Sequence, residues 1–323
     1  MKLTKIMFVA VLAVAIISIG FADAQVLTKL RMASGGEGGT YYVMANNMAT
    51  YCGEGLALDV QATGGSDDNV ERLINNKADV AIVQKDILFK RAKFNNDAAV
   101  KNFLAVMPLH YEAMHVVVLE KSGIVKFSDL GAMKGRFYGG SPGKKVGAYG
   151  GSIESAEIVK AMSDVAYEIV VVENQKAAVA ALNSGQIDAI LAMGGTPLKW
   201  VGEELKRGQH RLVQFDVPID KVAGAYRKAN VTYTRLGANA VPTISTDAVL
   251  ITRNFTTAEK VRAVSLLRKC VWSELTRMQE ADDTHGQWQN VQKDTQVEGW
   301  SWFAGMQVQW PSGGGSAPVP KRK

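Results

Sequence analysis

The chain of 323 residues has only two cysteines, four histidines and eight prolines, and its 31 glycines follow no fixed period. Two cysteines are too few for a disulfide-built scaffold or a cysteine-rich zinc domain. Four histidines leave little material for a histidine-rich metal site, and non-periodic glycine with so little proline excludes a collagen-like chain. Beyond the first two dozen residues no run reaches the roughly 20 apolar residues that a membrane-spanning helix needs. A charge excess of one sign is also lacking. The 37 Lys and Arg are interspersed with 31 Asp and Glu, so the net charge of +6 and the pI of about 9.1 do not by themselves point to nucleic acid. What remains is a globular balance, 47% hydrophobic and 21% charged, long enough for about two domains.

The two ends differ from the rest. Lys2 and Lys5 precede an apolar run from Ile6 to Ile19, interrupted only by Ser18, and Ala22-Asp23-Ala24 follows. A basic start, a short apolar stretch and a small-x-small site read as a secretory signal peptide, residues 1–24, cleaved to leave Gln25 first. A retained membrane anchor is the competing reading, against which the run is short. Export to the periplasm makes a Cys52–Cys270 disulfide chemically possible but does not show that the two meet. Residues 311–323 are mostly Pro, Gly and Ser before Lys321-Arg322-Lys323. They have little to bury, and a flexible tail is expected.

Between the ends, strand-like and helix-like segments alternate, which predicts α/β layers. Strands are expected at Leu30 to Ser34, Leu58 to Ala62, Asp79 to Val83, Leu104 to Pro108 and His115 to Leu119. The middle third repeats the pattern at Val146 to Tyr149, Tyr167 to Glu173 and Ile187 to Met193. The segment Leu73 to Ile82 lines up with Leu182 to Leu191 at a constant offset of 109, each an apolar helix end, a polar turn, an Asp and an apolar strand. That is what two similar α/β lobes would give. Asp247 to Thr252 reads as a returning strand. Thr256 and Glu259 have capping-box spacing ahead of an amphipathic helix over about Thr257 to Gln279.

Three times a strand runs into a small-residue loop with a hydroxyl at a helix start: Ser34 to Thr40, Thr63 to Ser66, and Gly150 to Ser152. Helix N-termini carry unpaired N–H groups and partial positive charge, and glycine lets a ligand approach the backbone. In open α/β sheets such turns lie at the carboxyl ends of strands, where ligands bind. Converging, they would hold a small anion, most simply a carboxylate, without a metal or cofactor. Ordinary helix capping is the plainer explanation for any one of them. No loop ends in Gly-Lys-Ser/Thr, and no Gly-x-Gly-x-x-Gly is followed by a suitable acidic strand end, which argues against nucleotide.

The segment Ser34-Gly35-Gly36-Glu37-Gly38-Gly39-Thr40-Tyr41-Tyr42 resembles the opening signature of the TAXI family, the extracytoplasmic solute receptors of TRAP transporters. Thr63 to Asn69 and Ala78 to Asp86 resemble its next blocks, in order. The resemblance covers roughly Leu30 to Thr252. It implies a periplasmic binding protein of type II-like fold, with two lobes, each a mixed sheet flanked by helices, around a cleft. It also implies a small organic acid as ligand, a glutamate-like amino acid or dicarboxylate, and a TRAP membrane permease as partner. Carried over by position, the ligand contacts are Thr40 and Tyr41, then Thr63, Gly65, Ser66 and Asn69, then Gln84. Ser34 and Gly39 of the first loop join them. The family's Gly-Ser-Gly-Thr turn is absent from the second lobe. Gly150-Gly151-Ser152 is the best substitute, giving Ser152, and Ser141-Pro142-Gly143 is the competing alignment. Met193 and Thr196 close a strand at the expected cleft, and Tyr233 is a candidate for stacking or hydrogen bonding.

The expected division is lobe one from 25–118 plus 247–310 and lobe two from 119–246. The crossovers would fall near Val118–Lys121 and Ser245–Leu250. Closure of a monomer on its ligand, with no covalent chemistry and no nucleic-acid partner, is the mechanism this implies. A receptor for an ABC importer or a sensor kinase is the second reading, and an exported enzyme the third. Glu112 and His115, with His110 nearby, read as polar residues near a hinge rather than a metal or acid–base site. Arg136 and Arg235 are candidates for a second ligand carboxylate, Tyr111 for a ligand contact, and Trp300, Trp302 and Trp310 for anchoring the C-terminus.

Overall fold

The computed structural model describes residues 28–53, 55–131 and 142–308. The expected signal peptide and tail lie outside the described residues, as do Arg136, Ser141 and Trp310. The chain begins with β1 (Thr28–Ala33), α1 (Thr40–Tyr51), β2 (Leu56–Gln61), α2 (Ser66–Ile74) and β3 (Val80–Gln84). Two short helices, α3 (Lys85–Phe89) and α4 (Ala98–Lys101), lead to β4 (Leu104–Leu119). The second half repeats the opening as β5 (Lys145–Ala148), α5 (Ser152–Ser163), β6 (Glu168–Val171), α6 (Gln175–Ser184) and β7 (Ala189–Gly195). Then come α7 (Lys199–Glu203), β8 (His210–Leu212), α8 (Ile219–Val222), β9 (Arg227–Tyr233), β10 (Ala238–Thr252) and the long α9 (Ala258–Glu280).

The strands run in the order β2-β1-β3-β10-β4-β7-β5-β6, with β8 on β4 and β9 on β10. β1 pairs in parallel with β2 and β3, and β5 in parallel with β6 and β7. Each half therefore carries the same parallel triplet, with its second strand outside, its first in the middle and its third inside. The offset of 109 falls on equivalent positions, since Val80 and Ala189 open β3 and β7. The architecture is the expected two-lobed α/β arrangement. It differs in one respect: a single mixed sheet runs through both lobes, because β4 and β10 are long enough to serve both. β4 pairs antiparallel with β10 from Leu104 to Ala113 and with β7 from Glu112 to Val118. Its second-half ladder thus begins at Glu112, several residues before the expected crossover at Val118.

The sequence places two strands, Leu104 to Pro108 and His115 to Leu119, where β4 is one. A proline lacks the N–H that a ladder uses and is tolerated at bulges. Pro108 lies beside such a bulge, where the register shifts between the Tyr111–Asp247 and Pro108–Val249 pairs. β4 therefore continues through it, and Leu109 and His110 fall in the irregular step.

Lobe one buries Leu30, Met32, Met44, Met48, Leu267 and Val271 between its sheet, α1 and α9. Cys52 and Cys270 meet there as a disulfide, tying the end of α1 to α9 across 218 residues of sequence. The capping box ahead of α9 is not formed. The N-cap is Thr257, without a side-chain cap, and packing of the apolar stripe is enough to place the helix. Trp302 bridges to Ala105, and the Trp300 indole donates to the Val100 carbonyl, so the C-terminal segment is anchored on lobe one.

Candidate functional site

The parallel triplets point their carboxyl ends at one cavity of about 820 Å³, lined by residues of both halves. From lobe one come the β1–α1 loop with Gly39, Thr40 and Tyr41, the β2–α2 loop with Thr63, Gly65 and Ser66, and Gln84 at the end of β3. From lobe two come Gly150, Gly151 and Ser152, Gln175 at the start of α6, and Met193 to Gly195 at the end of β7. Glu112 lines it from β4.

The capping explanation can be tested at each loop. The N-caps of α1, α2 and α5 are Gly39, Gly65 and Gly151, and no side chain caps any of them. Gly65 has φ 109° and ψ −159°, a conformation open essentially to glycine alone. The hydroxyls do something else: Ser66 Oγ accepts the Gln84 N–H at 3.0 Å, and Ser152 Oγ accepts the Met193 N–H at 3.0 Å. Each serine ties a helix start to the strand end beside it, and its own proton is what it can still offer. The loops are not equivalent, however. The Ser152 and Ile153 N–H groups are already taken by the Tyr149 and Gly150 carbonyls. The second half therefore presents side chains and glycine edges, and the uncapped helix starts facing the cavity belong mainly to lobe one.

Of the thirteen residues singled out in the sequence, Gly39, Thr40, Tyr41, Thr63, Gly65, Ser66, Gln84, Ser152 and Met193 line this cavity. The other four do not. Ser34 is fully buried and donates to the Gln61 carbonyl at 2.7 Å. Asn69 lies beneath the loops, donating to the carbonyls of Ser34 at 2.5 Å and Ile82 at 2.8 Å. Thr196 bonds the Tyr111 hydroxyl. The Tyr233 hydroxyl accepts the Leu198 N–H at 2.7 Å and lies 2.8 Å from His115 Nε2, behind the wall. Burial pushes that histidine down to about 4, so it stays neutral. Arg235 is exposed and donates to the carbonyls of Gly202 and Glu203, away from the cavity. Ser34, Asn69 and Thr196 lie at or next to the cavity loops, whereas Tyr233 ends β9. Sequence position alone cannot tell the face of a turn that meets the ligand from the face that braces it.

The base of the cavity was underrated in the sequence. Glu112 Oε2 accepts Gln84 Nε2 at 2.6 Å, and its other oxygen lies 3.2 Å from His110 Nε2. That approach lacks hydrogen-bond alignment, and both His110 ring nitrogens are buried without a partner. Burial, and then the neighbouring Glu112 carboxylate, push the Tyr41 hydroxyl well above its ordinary range, so it remains a donor. That hydroxyl, beside Glu112 and Ser66, and the Trp200 indole nitrogen, beside Tyr149, are both buried on lining residues without an aligned hydrogen bond. Buried polar atoms are rarely left so. The signals that could have found this region are the one acidic residue of His110-Tyr111-Glu112, in register with the strand end at Gly195, and the fourth helix start at Gln175.

Gln84 also spans the gap between the halves, since a side-chain carbon added at Gly151 would lie 3.2 Å from Gln84 Oε1. On the far side the halves are joined by Asp86, at the start of α3. It accepts the Ser155 hydroxyl at 2.7 Å and the Tyr226 hydroxyl at 2.8 Å. Burial raises this carboxyl to about 6 despite those bonds.

A family model described as NMT1-like matches residues 32–301. The chain belongs to the NMT1-like family. That match overturns the TAXI resemblance. The blocks that suggested it are the glycine turns, helix starts and strand ends that build this cavity. Among solved structures, the chain is similar to the GluR0 ligand-binding core from Nostoc punctiforme in complex with L-glutamate, at 14% identity and TM-score 0.49, covering 80% of this chain and 95% of that one. It is also similar to the amino acid ABC transporter substrate-binding protein AbpA of Streptococcus pneumoniae bound to L-arginine, at 17% identity and TM-score 0.46, covering 82% and 92%. A third likeness is to the periplasmic VFT2 domain of Bordetella pertussis BvgS, at 14% identity and TM-score 0.45, covering 76% and 88%. Among the described residues no helix is long and apolar enough to cross a membrane.

Proposed function

We propose that this NMT1-like protein is an extracytoplasmic solute receptor that captures a small organic acid between its two lobes and takes no catalytic step. The observation that carries the reading is the cavity itself. Uncapped helix starts with glycine N-caps and two buried polar groups without aligned hydrogen bonds, on Tyr41 and Trp200, surround one space that both halves line. A carboxylate at the starts of α1 and α2 would meet N–H donors and a favourable dipole. Thr40, Ser66 and Ser152 would add hydroxyls. We place the lobe boundary at Glu112 on β4 and near Ser245 to Asp247 on β10, where pairing passes from one half to the other. Contacts from both lobes are complete only when the lobes close, so ligand shifts the population toward the closed form. Closure builds a surface that spans both lobes, and the membrane partner proposed to read it is an ABC importer or a sensor kinase.

The test is calorimetric titration against a panel of amino acids, 2-oxo acids and dicarboxylates, with small-angle scattering of the same mixtures. Binding of an organic acid with a fall in radius of gyration is expected. Absence of binding across the panel, or binding without compaction, would overturn the proposal.

A further inference from the structure

We infer that Glu112 determines specificity in this cavity by selecting a zwitterion, an α-amino acid with an uncharged side chain whose ammonium group pairs with Glu112. The inference rests on the receptor reading above and narrows its ligand class. Among the described lining residues Glu112 is the only Asp, Glu, Lys, Arg or His. It is 7% exposed, and a carboxylate offers about four acceptor positions. The groups around it are all uncharged donors or misaligned: Gln84 Nε2 donates at 2.6 Å, the Tyr41 hydroxyl lies beside it, and the His110 approach is misaligned. A buried carboxylate with no cationic side chain among the described lining residues is unfavourable unless a cation completes it. An ammonium group has the charge and the three donors to do so.

The cavity is thus polarised. Helix starts favour negative charge on one wall and Glu112 favours positive charge at the base, the pattern of a bound amino acid's two charged groups. A 2-oxo acid would leave Glu112 unpaired, and a dicarboxylate would bring a second negative charge into a space with no described cationic side chain, so both are selected against. The remaining wall from Tyr149, Met193, Leu198 and Trp200 suits an apolar or aromatic side chain.

The experiment compares matched pairs on the full folded chain by calorimetry: L-leucine with 4-methyl-2-oxopentanoate, L-phenylalanine with phenylpyruvate, and L-glutamate with 2-oxoglutarate. Leucine or phenylalanine should bind at least about tenfold more tightly than its oxo partner and than glutamate, a difference of about 1.4 kcal/mol. Glu112→Gln should weaken the amino acid by about tenfold or more and leave the oxo acid unchanged or tighter. Equal or preferred binding of oxo acids by the wild type overturns the zwitterion assignment while leaving an acid receptor standing. Tighter binding of glutamate overturns the uncharged side chain. No binding by any of the six refutes the receptor reading and this inference together. The wild-type comparison decides the matter even if the variant fails to fold.

Discussion

Replacing Asp86 by asparagine should remove a pH dependence of stability that this one carboxyl confers. Asp86 is fully buried, and among the described residues no cation lies against it and its oxygens accept from Ser155, Tyr226 and the Ile87 N–H. Burial holds it at about 6, against an ordinary 3.8. At about 1.4 kcal/mol per pH unit this is worth roughly 3 kcal/mol when fully expressed. The folded protein binds the proton more readily than the unfolded chain, so the wild type gains stability on this account as pH falls from 7 through 6 toward 4. Asparagine keeps the shape and does not titrate. Urea unfolding of both proteins at steps from pH 8 to pH 4 should show the wild type gaining about 2–3 kcal/mol on Asp86→Asn over that range. Taking the difference cancels groups common to both, including Asp79. Burial alone would raise Asp79, but hydrogen bonds from Arg31 and Lys260 hold it down to about 2. Its contribution is therefore lost only as pH falls below about 4. A stability difference that is flat with pH, or that moves in favour of the wild type as pH rises, would refute the assignment of a buried, cation-free carboxyl between the lobes.

Other outcomes follow from the geometry. Reducing the Cys52–Cys270 bond closes no loop in the unfolded chain and should lower stability by up to about 5 kcal/mol on the chain-entropy account; identical denaturant midpoints with and without reductant would contradict it. Gly65→Ala forces a side chain into φ 109° and should destabilise by about 1–3 kcal/mol, read from the urea midpoint. Ser66→Ala strips the buried Gln84 N–H of its acceptor and should lower stability by about 1–3 kcal/mol, with ligand affinity falling as well. An unchanged midpoint would mean the serine does not brace that strand end.

The local grammar was legible because it is local. Glycine loops followed by Thr40, Ser66 and Ser152 announced helix starts at strand ends, and those three residues do line one cavity. The weak repeat at offset 109 marked the equivalent third strands, β3 and β7. Illegible were features that need two distant segments at once. The segments Leu104 to Pro108 and His115 to Leu119 read as two strands, and only the bulged pairing with β10 carries one strand through Pro108. Thr256 and Glu259 looked like a capping box, but tertiary packing set the start of α9 without one. Ser34, Asn69, Thr196 and Tyr233 had the right chemistry in the right neighbourhood, yet each makes a hydrogen bond inside the protein instead of lining the cavity, and the Asn69 Oδ1 is left buried without a partner.

By itself, then, the chain's order of residues determined an α/β protein of two similar lobes with helix starts gathered at strand ends, since periodicity, glycine and hydroxyl placement act over a few residues. The tertiary structure alone decided that β4 and β10 weld the lobes into one sheet. It also decided that Cys52 meets Cys270 and that Glu112 lies buried at the base of the cavity with no cationic side chain among the described lining residues. Those outcomes depend on which surfaces are excluded from water together, and burial is a property of the assembled fold, with no counterpart in any short stretch of sequence.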